Sequence, residues 1–182
     1  MTDDLATRIP PLGDNELKGK ALDLMQPLLD AGRPWNVFRT MAQHPDLARR
    51  WIVFSNHVLS KSTLPGRERE LAILRIGWLC QSEYEFAQHR VMGIEAGLTA
   101  DEVERVKAGP DAQWSPLEKL VLQATDELHY DKLVADQTWA ALREHWSDEQ
   151  MMDLVFAVGQ YTMVSMALRS FGVPLDDFLD GF

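Results

Sequence analysis

The chain has 182 residues, of which 46% are apolar and 25% charged, and a formal net charge of −10. That length suits a single domain with a real core, and an acidic surface excludes nucleic acid and anionic membrane as natural partners. One cysteine, Cys80, excludes an internal disulfide framework and an intrachain dithiol couple.

The N-terminus shows no basic start followed by an apolar run, so no signal peptide is read there. No uninterrupted apolar stretch reaches the roughly 18 residues of a membrane span. The longest candidate, 151–168, is broken by Asp153, Gly159 and Gln160. A cytoplasmic location is expected. Within the acidic chain, Arg67, Arg69, Arg75 and Arg90 form a local basic cluster able to hold an anionic small molecule.

Residues 1–13, with Pro10 and Pro11, read as an extended arm reaching a neighbouring subunit, and 14–182 as one helical domain. Leu17, Ala21, Leu24, Met25 and Leu28 keep helical spacing over 14–31, and Pro27 is expected to kink or end that helix. Asn36 is placed to cap a short helix ending before Pro45, and Asp46 to cap the next. Leu47, Trp51, Phe54, Val58 and Leu59 then keep a 3.6-residue period up to the turn pair Pro65-Gly66.

From Arg67 the chain is apolar on nearly every side, which predicts a central helix. Ser82 is the expected cap of a second helix that Gly97 stops. Thr99 with Glu102, Ser115 with Glu118 and Ser147 with Gln150 have capping-box spacing, and Pro116 suits a first turn. A long helix over 148–170 should end at Gly172 and Pro174. No segment alternates with period two, so the fold class is all-α.

The chemistry-bearing residues concentrate in 67–97. Ser82, Glu85 and His89 are spaced i, i+3, i+7 and share one helical face. A hydroxyl, a carboxylate and an imidazole on one face make an acid/base site. The plainer alternatives are that Glu85 and His89 form an i, i+4 surface pair, that Ser82 only caps its helix, and that Trp78 is core.

Glu70, eleven residues, Ser82-Glu83-Tyr84-Glu85 and then His89 resemble the signature of the carboxymuconolactone decarboxylase superfamily, which includes the alkyl hydroperoxide reductase D-type proteins. In that family's redox branch the pattern is a glutamate, eleven residues, Cys-x-x-Cys, three residues and a histidine. The glutamate falls on Glu70 and the histidine on His89, while the two cysteine positions fall on Ser82 and Glu85. Neither residue can cycle through a disulfide, so the dithiol peroxidase reaction is not expected.

The resemblance implies an all-helical fold and cofactor-free lyase or proton-transfer chemistry on a small carboxylated or lactone-like molecule. Glu70, Glu85 and His89 would be catalytic, and Tyr84 and Ser82 would donate to a developing oxyanion. It also implies trimers or hexamers formed through helical faces, for which the final helix and Trp51, Trp78, Trp139 and Trp146 are available. Three alternatives remain: a peroxidase using Cys80 as lone thiol, a metal site at Glu70, Glu85 and His89, and a non-catalytic subunit.

Overall fold

The computed structural model describes residues 6–182; residues 1–5, the first part of the expected arm, lie outside the described residues. Nine α-helices are present among them: α1 Lys20–Asp30, α2 Asn36–Met41, α3 Pro45–Ser60, α4 Gly66–Leu79, α5 Glu83–Glu95, α6 Ala100–Arg105, α7 Pro116–Tyr130, α8 Asp136–Arg143 and α9 Asp148–Phe171. Single 3-10 turns lie at Asp14–Glu16 and Val106–Ala108.

Helix α4 is the hub. Every residue from Glu70 to Gly77 is buried, and the helix packs on α5, α7 and α9. Leu71, Ile73, Leu74 and Ile76 lose all solvent contact, a gain of about 1.5–3 kcal/mol for each side chain. Helix α9 is the second hub, wedged against α3, α4, α5 and α7. Its 24 residues are long and apolar enough to cross a membrane by length and composition. Yet Met151, Leu154, Ala157, Val158, Val164 and Leu168 are buried inside the domain.

All three capping boxes form, and Gly172 closes α9 in the left-handed region at φ 65°. Other expectations change. The first helix starts only at Lys20 and runs through Pro27 to Asp30. Asn36 does not cap α2: its side chain donates to the carbonyls of Pro174 and Leu175. Helix α3 is capped by His44, whose ring accepts from the Leu47 amide, and Asp46 sits in its first turn. Helix α8 was not expected, because Ala135 at its N-cap offers no side-chain cap.

The described residues of the arm lie on their own chain. The amides of Arg8 and Ile9 donate to the Phe171 carbonyl at 2.8 and 3.0 Å, while Gln43 and Arg39 hold the Pro10 and Leu12 carbonyls. Of the tryptophans expected at interfaces, Trp146 is buried and Trp51 and Trp78 pack on the core.

Candidate active site

The site is built by the reversal between α4 and α5. Cys80 ends α4, and the Ser82 amide donates to the Gly77 carbonyl at 2.9 Å. Gln81, between them, sits at φ 54°, a left-handed conformation that costs a side-chain-bearing residue about 1–2 kcal/mol. Its side chain offsets part of that cost by donating to the Trp78 carbonyl at 2.7 Å. The turn folds α5 back along α4, and Gly77 lets the helices close. A β-carbon there would lie 3.1 Å from Glu85 Oε1, tighter than ordinary contact.

Glu70 and His89 meet at the centre of this interface. Glu70 Oε2 lies 2.7 Å from His89 Nδ1, and the Arg69 guanidinium donates to Glu70 Oε1 at 3.2 Å. Burial pushes the Glu70 carboxyl up, but the imidazole and Arg69 outweigh it and hold the group below the ordinary carboxylate range. The imidazole is thereby fixed through Nδ1, and Nε2 has no hydrogen-bond partner among the described residues. Tyr161 from α9 packs edge-on against the ring at 4.6 Å between centroids.

Glu85 is in the opposite state. It accepts from the Ser165 hydroxyl at 2.8 Å. Its Oε1 is buried without a partner. Complete burial raises its pKa well above 4.5, and the Ser165 hydrogen bond offsets only part of the rise. Burial therefore favours the protonated form of Glu85. Two buried glutamates on neighbouring helices thus have pKa values shifted in opposite directions, a common arrangement of acid and base.

The structure does not bring Tyr84 into this group. Its hydroxyl donates to Asp176 Oδ2 and accepts from the Val37 amide. It locks the C-terminal tail to α2 and is not an oxyanion donor. Ser82 occupies the N-cap of α5 without making the capping bond, and its hydroxyl is buried and unpartnered. Glu85 and His89 are both buried, so the surface-pair alternative fails. No group of three His, Cys, Asp or Glu among the described residues is placed to hold a metal ion.

Nor is the basic cluster open to an anion. Arg67 is paired with Glu102 and Glu118, Arg69 with Glu70, Arg75 with Asp126 and Arg90 with Glu104. Two other cations, Arg8 and Arg169, donate to the Ser170 and Cys80 carbonyls. With Cys80, Ser165, Met166 and Ser170 they line an open cavity of about 380 Å³. Ser165 joins the two halves of the site, since it lines the cavity and also bonds Glu85. Cys80 lies 4.0 Å from His129 Nδ1. Burial and the nearby Glu85 push its thiol pKa up, against smaller opposing effects of Ser165, Arg169 and Lys132. A second cavity of about 200 Å³, between α2, α3 and α9, is lined by apolar side chains and Thr40 and holds no titratable group.

Sequence reasoning missed Ser165, Tyr161, Arg8 and Arg169. The signal for the first two was available: Gln160, Tyr161 and Ser165 are polar interruptions of an apolar helix, and all three are buried.

The family model of the carboxymuconolactone decarboxylase family matches residues 45–127, a span that contains Glu70, Cys80, Ser82, Glu85 and His89. The helical order agrees with an AhpD-core, peroxidase-related protein from Ralstonia eutropha JMP134 over 94% of this chain and 95% of that one, with TM-score 0.77 and 19% identity. Residues 45–127 are thus similar to the carboxymuconolactone decarboxylase family, and the chain has the fold of the AhpD-core proteins.

Two other solved structures share this fold. A peroxidase-related protein from Silicibacter sp. TM1040 matches with TM-score 0.80 at 14% identity, covering 96% of this chain and 93% of that one. A cysteine-to-alanine variant of the debrominase Bmp8, in complex with 2,3,4-tribromopyrrole, matches with TM-score 0.78 at 11% identity, covering 96% and 95%. No curated protein matches the chain.

Proposed function

We propose that this protein is a cofactor-free acid/base catalyst, of the lyase or proton-transfer type, acting on a small carboxylated or lactone-like metabolite. The observation that carries the reading is the split between two buried glutamates, Glu70 paired with His89 and shifted down, and Glu85 bonded only by Ser165 and shifted up. The open cavity supports the substrate class, because Arg8 and Arg169 suit a carboxylate.

In such a reaction, loss of carbon dioxide leaves an electron pair on the carbon that carried the carboxylate. The Ser165 hydroxyl turns to give its proton to that carbon or to the conjugated oxygen while its Oγ takes the Glu85 proton, and Glu85 is reprotonated from water. His89, fixed by Glu70 at Nδ1, offers Nε2 as the base for steps that remove a proton. General acid/base groups of this kind contribute about 10²–10⁴-fold each.

The test is a panel of carboxylated lactones and related unsaturated acids, followed by NMR for substrate loss. Turnover that falls at least a hundredfold in both Glu85→Gln and His89→Ala supports the assignment. Near-parental turnover in both variants sinks it.

A second reading rests on one observation: Cys80 lines the same open cavity. A lone-thiol peroxidase would reduce a peroxide and be reset by two equivalents of an external thiol. The raised thiol pKa works against it, since the thiolate is the nucleophile. Peroxide consumption unchanged in Cys80→Ala removes it.

A further inference from the structure

The outward face of α9 carries a pattern that its own chain does not use. Its exposed positions are Met152, Phe156, Gly159, Met163, Met166 and Ser170, spaced by four, three, four, three and four residues. That is the seam of a helix packed against another helix. Met152, Phe156, Met163 and Met166 are between 48% and 64% exposed, although the helix's other face fills the core. Gly159 interrupts a helix interior, where glycine is disfavoured, and a β-carbon there would meet nothing within 4 Å. Nothing within the chain calls for a glycine at that point.

The stripe is also symmetric about position 161. Reversing the helix direction sets Met152 opposite Ser170, Phe156 opposite Met166, and Gly159 opposite Met163. The glycine then becomes the hole that receives a methionine from the facing helix, which allows two backbones to approach closely. The charges beside the stripe follow the same symmetry, with Asp153 near one end and Arg169 near the other. Antiparallel pairing brings these opposite charges together, whereas parallel pairing opposes like with like.

We infer that two copies of this chain pair through α9, antiparallel about a two-fold axis at position 161, with Met163 of each copy seated on Gly159 of the other. The pairing carries Phe156 of the second copy past Met166, at the rim of the open cavity, so the cavity is walled by both chains. A two-fold contact builds a dimer, or a hexamer made of three such pairs, and not a lone trimer. The inference rests on α9 alone and does not depend on the proposed chemistry.

Cross-linking tests it. In full-length protein carrying Cys80→Ala, the exposed pair Phe156→Cys and Met166→Cys is oxidised with copper phenanthroline, which accepts the two electrons as each disulfide forms and two protons leave. The two positions are about 15 Å apart along one helix, so a bond between them joins two copies. The double variant should run mainly as a covalent dimer on a non-reducing gel, while each single variant stays at monomer mass. Gly159→Leu, at an exposed helical site, should at least halve the mass of the assembly in light scattering without loss of helicity. Single variants that cross-link as well as the double variant would mean parallel pairing and overturn the inference. So would a monomeric parent protein, including one that floats with phosphatidylcholine vesicles, or an assembly unchanged by Gly159→Leu.

Discussion

Replacing Glu85 by glutamine separates stability from chemistry. The side chain is buried with Oε1 unpartnered and its pKa displaced well above 4.5. An unfolded chain ionises this carboxyl near its ordinary value, while the folded chain keeps it protonated. The unfolded state therefore gains from each step of pH above 4.5, and the fold loses about 1.4 kcal/mol per pH unit until Glu85 itself ionises. Between pH 4.5 and 7 that loss is bounded at about 3.4 kcal/mol. Glutamine has the shape of the protonated acid, accepts from Ser165 in the same way, and has no charge to release. Urea unfolding of parent and Glu85→Gln from pH 4.5 to 8 should show curves that meet at the acid end and diverge upward. The variant should be more stable than the parent at pH 7, by no more than that bound, while losing turnover. A variant less stable than the parent by a constant amount across that range would mean that Glu85 is an ionised, paired group, and the reasoning would fail.

The Glu70–His89 pair should behave in the opposite sense. Glu70 has a lowered pKa, so its contribution is present above its unfolded value of 4.5 and is lost as pH falls through the folded one. Glu70→Gln should cost about 3–5 kcal/mol at pH 7 in the same unfolding assay, because it leaves a buried partner uncompensated, and the deficit should shrink in acid. Tyr84→Phe should cost about 1–3 kcal/mol by stripping one of three donors from buried Asp176, with turnover unchanged; a large loss of turnover would return Tyr84 to the site. Gln81→Gly should raise stability by about 1 kcal/mol, by relieving the left-handed strain at φ 54°, read as a higher urea midpoint. Alkylation of Cys80 at pH 8 should be slower than that of a free cysteine, as its raised pKa requires.

Much of the fold was legible because it follows from local rules. Capping boxes at Thr99, Ser115 and Ser147 fix helix starts by bonds within four residues, and they formed as written. The central position of α4 followed from its being apolar on most sides. What failed depended on distant partners. Asn36 has the chemistry of a cap, but the tail at Pro174 and Leu175 claims its side chain. Tyr84 was counted with the site because it lies beside Glu85 in sequence, but successive helical residues face different directions, and Asp176 waits on its side. The basic cluster near Arg67 looked free because the acidic partners of Arg67, Arg75 and Arg90 lie 14 to 51 residues away, although Arg69 pairs with its neighbour Glu70.

The site itself was half legible. Spacing placed Glu85 and His89 on one face, and the family pattern added Glu70. No rule of spacing could reveal that the two glutamates are shifted in opposite directions, because that depends on which side chains reach each one. Ser165 lies 80 residues from Glu85, and the cations of the open cavity come from the two ends of the chain.

The central claim is that a proton held by Glu85 reaches a substrate in the cavity lined by Cys80 and Ser165. Its most direct test is the carboxylated-lactone panel run in deuterated water, with the parent, Glu85→Gln and Cys80→Ala compared by NMR. The account predicts deuterium at the carbon that loses its carboxylate, at equal rates in the parent and Cys80→Ala and at least a hundredfold slower in Glu85→Gln. No labelled product from the parent, together with peroxide consumption that disappears in Cys80→Ala, would contradict it.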